Sequence, residues 1–125
     1  MKRVLDIGQC GMDHAAIRRL IEDGFDAEVA QAQDAADAVR QLRETPFDLV
    51  LVNRVLDADG SDGLSIIEQI KSDAKLAAIP VMLVTNFPEY QERAVAAGAE
   101  PGFGKAGLYS GETADRLAAY LDKRG

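Results

Sequence analysis

The residues best placed to do chemistry stand directly after short apolar segments of the chain. Asn53 ends the segment FDLVLVN, Thr85 follows PVMLV, and Lys105 follows GFG. Gly8 and Gln9 follow the segment RVLDI. These positions contain no pairing of a nucleophile with a base, so the sequence does not predict an enzyme.

A second polar group is the acidic loop, which we define as residues 57–68. Its carboxylates belong to Asp57, Asp59, Asp62 and Glu68. Asp57, Asp59 and Glu68 have the spacing of the first, third and last ligands of a calcium-binding loop, so Ca²⁺ or Mg²⁺ is a candidate ligand. Asp62 replaces the glycine that such a loop needs at its sharp turn. The alternative is a polar turn in which Gly60 and Gly63 adopt backbone angles open to glycine.

The elements that must position these residues alternate between two kinds of segment. Short apolar segments predict strands at 3–7, 27–32, 48–52, 80–84 and 102–104. Helical spacing of apolar residues fills the intervals between them and the end of the chain. Five strand–helix units predict an α/β fold with the flavodoxin-like doubly wound parallel sheet, in strand order 2-1-3-4-5. In such sheets ligands bind at the carboxyl ends of the strands, where the polar positions fall.

Single residues predict how the helices begin and end. Asp13 and Asp34 are candidates to accept the free N–H groups of a first helical turn. Pro88 suits a first-turn position, and Gly98 suits the left-handed position after a helix.

The order of these polar positions resembles that of response regulator receiver domains over nearly the whole chain. Thr85 and Lys105 match the hydroxyl and lysine positions of that family. Asn53 stands at the position of the aspartate that accepts phosphate, and Gly8 and Gln9 stand at the positions of its acidic pair. The resemblance implies a receiver domain of two-component signalling that spans residues 1–125, with no length after residue 122 for an output domain.

The departures from the family pattern predict a receiver without phosphorylation chemistry. The neutral amide of Asn53 is a poor nucleophile, and Gly8 and Gln9 supply no carboxylate for the Mg²⁺ that the family uses. We therefore expect no cofactor at this site, although Asp57 or Asp59 remains an alternative acceptor. Gly102 stands where the family has its switch aromatic, and Phe103 should point to the opposite face.

Two titratable residues, Asp6 and His14, lie in or close to the first predicted strand. Asp6 lies inside an apolar strand, where a charge is costly unless it is paired. It could replace a missing metal ligand if the strand ended early, be partly exposed, or pair with a cation such as Lys105. Asp57 or Asp59 could pair with Lys105 instead. His14, in the first turn of the following helix, is predicted to be a solvated residue.

Function is therefore predicted to lie in protein binding. The family's usual partner surface corresponds to residues 88–122, with Tyr90, Tyr109 and Tyr120 in the span. A kinase, an output domain, another receiver or a second copy of the chain are the candidate partners. A metal-binding or small-ligand-binding domain that uses the acidic loop is the alternative function.

Composition limits the function further. The 125 residues carry a net charge of −7, which disfavours binding to nucleic acid. No apolar run has the ~20 residues of a membrane span. The single cysteine, Cys10, fits a cytoplasmic protein.

Overall fold

The computed structural model describes residues 1–124 and contains one parallel sheet with helices on both faces. The strands are β1 (Lys2–Ile7), β2 (Ala27–Ala32), β3 (Leu49–Asn53), β4 (Val81–Val84) and β5 (Glu100–Phe103). The helices are α1 (Gly11–Gly24), α2 (Ala35–Glu44), α3 (Gly63–Ser72), α4 (Pro88–Ala96) and α5 (Gly111–Ala118), and a short 3₁₀ helix spans Lys105–Gly107. The strand order β2-β1-β3-β4-β5 confirms the predicted doubly wound topology.

Alternating residues of the central strands point to opposite faces of the sheet and pack in two core layers. One layer joins Leu5, Val50 and Leu83 to helices α2, α3 and α4. The other joins Val4 and Leu51 to helices α1 and α5. Because both faces are covered, β3 and β4 are continuously apolar, as parallel central strands require.

The residues predicted to begin and end the helices do so, with one exception. Asp34 accepts the N–H of Asp37 at 2.8 Å, Pro88 begins α4, and Gly98 has a φ of +108°. The expected cap at Asp13 is wrong, because α1 begins at Gly11 and Asp13 lies inside its first turn. Within residues 1–124 no helix has the length and apolarity needed to cross a bilayer.

Candidate functional site

The carboxyl edge of the sheet gathers the polar positions that the sequence singled out. Asn53 is the last residue of β3, Thr85 follows β4, and Lys105 follows β5 by two residues. A cavity of about 390 Å³ opens beside Asn53 and Lys105 and is also lined by Cys10, Asp13, Leu56 and Asp57, among others, while Thr85 lines a neighbouring cavity with Asn53 and Lys105. The fold therefore brings the family-like positions together, and their chemistry depends on what each side chain contacts.

The space beside Gly8 is filled by an apolar side chain. Gly8 has a φ of +81°, and a Cβ atom built on it would lie 2.4 Å from Cγ of Leu56. Leu56 belongs to the loop after β3, yet it is only 1% exposed. Backbone hydrogen bonds from Leu56 to Ser61 (2.9 Å) and from Gly60 to Leu56 (2.8 Å) hold this loop in place. A larger residue at position 8 cannot enter without displacing Leu56.

Asn53 is bonded to the backbone of the turn after β1. Its Nδ2 donates to the carbonyl oxygen of Gly8 at 3.1 Å, and the backbone N–H of Asp57 donates to the same oxygen at 2.9 Å. A carboxylate at position 53 has no proton to donate and would face that carbonyl. The amide therefore joins β3 to the β1 turn.

Lys105 is paired with a carboxylate of α1. Its Nζ lies 2.7 Å from Oδ2 of Asp13, and this hydrogen bond lowers the pKa of the Asp13 carboxyl below its usual range. The expectation that Lys105 pairs with Asp57, Asp59 or Asp6 is wrong. Both partners are partly exposed, so we assign little stability to the pair.

Thr85 uses its hydroxyl within its own turn. The side chain is largely buried, and Oγ1 accepts the backbone N–H of Phe87 at 3.3 Å. Phe87 itself is 54% exposed at the start of α4. The hydroxyl thus helps to set the direction in which α4 begins.

Asp6 and His14 form a buried pair behind the cavity. Asp6 is fully buried, and a hydrogen bond of 2.7 Å joins its Oδ2 to Nδ1 of His14. Burial raises the pKa of the Asp6 carboxyl, while the His14 ring acts in the opposite direction. The predictions of a solvated His14 and a partly exposed Asp6 are wrong, because α1 turns the imidazole, only 12% exposed, onto β1.

Other polar atoms close to Asp6 lack partners. Oδ1 of Asp6 and both amide atoms of Gln9 have no hydrogen-bond partner among the described residues. Gln9 is 4% exposed. Since β1 continues to Ile7, Asp6 does not end the strand as a ligand of the cavity would.

The acidic loop uses its carboxylates locally. Asp59 accepts from the backbone N–H and the hydroxyl of Ser61, and Asp62 accepts the N–H of Leu64 at the start of α3. Gly60 has the predicted left-handed φ of +71°, but Gly63 does not. A Cβ on Gly63 would lie 2.1 Å from the Asn53 carbonyl oxygen, so close approach requires glycine there. In residues 1–124 no group of three or more His, Cys, Asp or Glu side chains is arranged to hold a metal.

A glutamine of α4 bridges β4 and β5, which sequence reasoning missed. The register between these strands shifts between Met82 and Val84, so Pro101 and Gly102 form a bulge. Oε1 of Gln91 accepts the N–H of Gly102 at 2.9 Å, and Nε2 donates to Leu83 O at 2.9 Å. One side-chain amide thus replaces the peptide contact that the bulge removes.

Gly102 is needed for this arrangement. A Cβ there would lie 2.3 Å from the carbonyl oxygen of Leu83. Phe103 points to the opposite face, as predicted, and packs in the core layer of α1 and α5. Position 102 therefore cannot carry an aromatic switch in this backbone.

Replacement of Gln91 by alanine should loosen α4. We expect a loss of about 2 kcal/mol in the free energy of unfolding, because two buried backbone groups lose their partner. Hydrogen exchange should accelerate at the Gly102 amide. The control is Gln69→Ala on the exposed face of α3, which should change neither quantity. Equal exchange at Gly102 in the wild type and Gln91→Ala would contradict the bridging role.

The three tyrosines of residues 88–122 differ in exposure. Tyr109 is 74% exposed, whereas Tyr90 and Tyr120 are partly buried. Two guanidinium groups lie near the Tyr90 ring, with the Cζ atoms of Arg54 and Arg93 at 4.3 Å and 5.4 Å from its centroid. Tyr109 alone of the three is largely free for contact.

Comparison with known proteins points to one family. Residues 12–106 match the sequence model of the response regulator receiver domain. An 86-residue segment is 34% identical to the phosphate regulon transcriptional regulatory protein PhoB of Klebsiella pneumoniae. That segment covers 65% of this chain and 36% of PhoB, so the match spans little more than a third of that protein's length.

Solved structures share the fold. The chemotaxis response regulator CheY4 of Vibrio cholerae superposes with a TM-score of 0.76 at 18% identity, covering 97% of this chain and 99% of CheY4. A receiver domain from Colwellia psychrerythraea gives a TM-score of 0.68 at 27% identity, covering 95% of this chain and 99% of that domain. A response regulator from Thermotoga maritima gives 0.77 at 20% identity, covering 96% and 97%.

Proposed function

Because this chain belongs to the response regulator receiver domain family, we propose that it acts in two-component signalling as a protein-binding module that needs no phosphorylation. The observation that carries this proposal is the position of Leu56. Its side chain occupies the space beside Gly8 in which the family has an acidic residue. An apolar group there offers nothing to a phosphate or to a cation.

We propose that Mg²⁺ has no site here, because the donor chemistry does not fit it. Mg²⁺ needs oxygen ligands in near-octahedral geometry. Gly8 has no side chain, and the amide of Gln9 is buried. Of the two carboxylates that line the cavity, Asp13 is already bonded to Lys105. This leaves Asp57 as the one carboxylate of the cavity without a bonded cation in the described residues.

The remaining family-like groups support a structural role at the carboxyl edge. Asn53 bonds to Gly8, Thr85 to Phe87, and Lys105 to Asp13. The contacts of Asn53 and Lys105 each join two segments around the cavity, and the contact of Thr85 holds the turn before α4. We propose that these contacts replace a phosphate-dependent rearrangement with one fixed arrangement.

The partner surface is also held in place. Gln91 fastens α4 to β4 and β5, and Arg116 of α5 donates to the carbonyl oxygen of Gly102. We propose that residues 88–122 present this fixed surface to a kinase, an output domain, another receiver or a second copy of the chain. We propose a protein that works in the cytoplasm and that neither catalyses a reaction nor binds nucleic acid or membranes.

Intact mass after incubation with acetyl phosphate and Mg²⁺ tests phosphorylation independence. We expect no adduct on the wild-type chain, while a receiver that retains its acidic residues gains phosphate in the same reaction. An adduct that hydroxylamine removes would be an acyl phosphate and would overturn the proposal. Its location at Asp57 or Asp59 would identify a displaced acceptor.

Asn53→Asp should not restore phosphorylation. The new carboxylate would face the Gly8 carbonyl oxygen, and of the two other carboxylates that line the cavity Asp13 is already bonded to Lys105. We expect a loss of about 2 kcal/mol in the free energy of unfolding, because a partly buried hydrogen bond becomes a repulsive contact. Thermal unfolding and the acetyl phosphate assay give the two readouts. A phosphorylated and equally stable Asn53→Asp chain would contradict our account of this position.

The alternative function, cation binding at residues 57–68, predicts a different result. Titration with Ca²⁺ or Mg²⁺ would then shift the NMR signals of Asp57, Asp59 and Glu68. We expect no saturable shift, because Asp59 is bonded within its own turn and Asp62 caps α3. Saturable shifts confined to the loop would favour the alternative.

A further inference from the structure

A second large cavity lies away from the carboxyl edge of β1 and β3. A groove of about 680 Å³ runs between α4, β5 and α5. Its volume is within the ~300–1,000 Å³ typical of ligand sites. Its apolar lining includes Pro88, Val95, Pro101 and Ala106. Val95 is 45% exposed, so an apolar helix side chain is left uncovered at the groove.

The backbone keeps this groove open. Gly102 lies in its lining and carries no side chain, and the carbonyl oxygen of Leu83 prevents any residue larger than glycine there. Gln91 fixes the α4 wall through two strands, and Arg116 fixes the α5 wall through the Gly102 carbonyl. Because main-chain contacts set both walls, the groove is preformed, and a partner does not have to open it.

Charge in the groove favours a cationic occupant. Glu112 is paired with Arg116, whereas Glu92 has no ion pair among residues 1–124. The lining therefore holds two carboxylates and one guanidinium. A second copy of the chain would bring its own net charge of −7. Electrostatic complementarity selects a basic segment over an acidic one and over a second copy.

We propose that this groove binds a short segment of a partner protein in which an apolar side chain stands beside a lysine or arginine. The apolar side chain contacts Val95 and Pro101 above Gly102, and the cation faces Glu92. Burial of an apolar anchor with a charged rim is the usual anatomy of a protein interface. This inference rests on the proposed function, because it names the chemistry of the partner that the fixed surface receives.

Titration of the ¹⁵N-labelled chain with synthetic peptides tests the groove. The probe is Gly-Arg-Leu-Phe-Arg-Leu-Gly, and one control peptide replaces each arginine by glutamate. A second control replaces the leucines and phenylalanine by serine. We expect saturable amide shifts confined to residues 85–116 with the first peptide alone.

Two variants of equal charge change locate the binding. Glu92→Lys should weaken the basic peptide about five-fold, as loss of a rim charge does. Glu68→Lys on α3 changes the net charge equally but lies outside the groove lining, and should leave the affinity unchanged. Val95→Ser, also exposed, should weaken binding without changing the fold.

Four results would overturn the groove assignment. The first three are shifts that map outside residues 85–116, equal binding of the acidic or serine peptide, and equal effects of Glu92→Lys and Glu68→Lys. Absence of any saturable shift would also overturn it. The acetyl phosphate assay tests phosphorylation independence without any peptide. Failure of the groove assignment is therefore distinguishable from failure of the proposed function.

Discussion

His14→Ala is expected to lower the free energy of unfolding by about 3 kcal/mol at pH 8, because it leaves a buried carboxylate without its partner. Asp6 is fully buried, and its Oδ2 atom is bonded to Nδ1 of His14 at 2.7 Å. Its other oxygen has no partner in the described chain. Removal of the imidazole therefore takes the hydrogen bond from Oδ2, while the side chain of Gln9 and the charge of Lys105, which also lower the pKa of Asp6, remain.

The loss should depend on pH with a definite sign. Burial already raises the pKa of Asp6, and the hydrogen bond from His14 is the strongest interaction that lowers it. In His14→Ala the folded-state pKa of Asp6 should rise further. A group with a raised folded-state pKa contributes its full stability below its unfolded pKa and loses it as the pH rises through the folded value. The deficit relative to wild type should therefore be smallest near pH 4 and grow toward pH 8.

Chemical denaturation at a series of pH values measures this deficit, and two variants control it. The double variant Asp6→Asn/His14→Ala has no carboxyl at this position, so its deficit relative to the wild type should not grow between pH 4 and pH 8. Arg18→Ala on the same helix removes an exposed pair with Glu22 and should cost no more than about 0.5 kcal/mol. A deficit for His14→Ala that does not change between pH 4 and pH 8 would refute the role of the Asp6 carboxylate.

The strands and their order could be predicted because burial leaves a direct mark on sequence. The segments at β3 and β4 are continuously apolar since both faces are covered, which is typical of central parallel strands. The mixed burial of β2 agrees with its place at the edge of the sheet. The positions of Asn53, Thr85 and Lys105 followed from the strand ends alone.

The contacts at the site could not be predicted, because they depend on how loops and helices are rotated. The charge at Asp6 did indicate that a partner was needed, but the sequence indicated Lys105 and a solvated His14, because it does not show the rotation of α1 that brings His14 to Asp6. Leu56 looked like one apolar residue in an acidic loop, and only the hairpin-like hydrogen bonds of that loop turn it over Gly8. The β4–β5 bulge that Gln91 bridges leaves no pattern in the sequence of α4.

Gly8→Ala should lower the free energy of unfolding by about 3 kcal/mol for two reasons that act together. The φ of +81° is unfavourable for a residue with a Cβ atom, and that atom would lie 2.4 Å from Cγ of Leu56. Gly11→Ala is the matched control, because a Cβ there meets nothing within 4 Å and the backbone is helical. It should change stability by less than about 0.5 kcal/mol.

A double-mutant cycle with Leu56→Ala separates the two reasons. Leu56→Ala alone should cost about 3 kcal/mol, since it empties a buried position. In Gly8→Ala/Leu56→Ala the contacts with Cγ and Cδ1 disappear and the contact with Cβ at 3.1 Å remains, so the combined loss should fall short of the sum by at least ~1 kcal/mol. Additive losses would mean that Leu56 does not occupy the space beside Gly8. Subadditive losses would mean that the side chain of Leu56 blocks a larger residue at position 8. An acidic residue could then occupy position 8 only if Leu56 were also replaced, so a metal site would require changes at residues 8, 53 and 56 together.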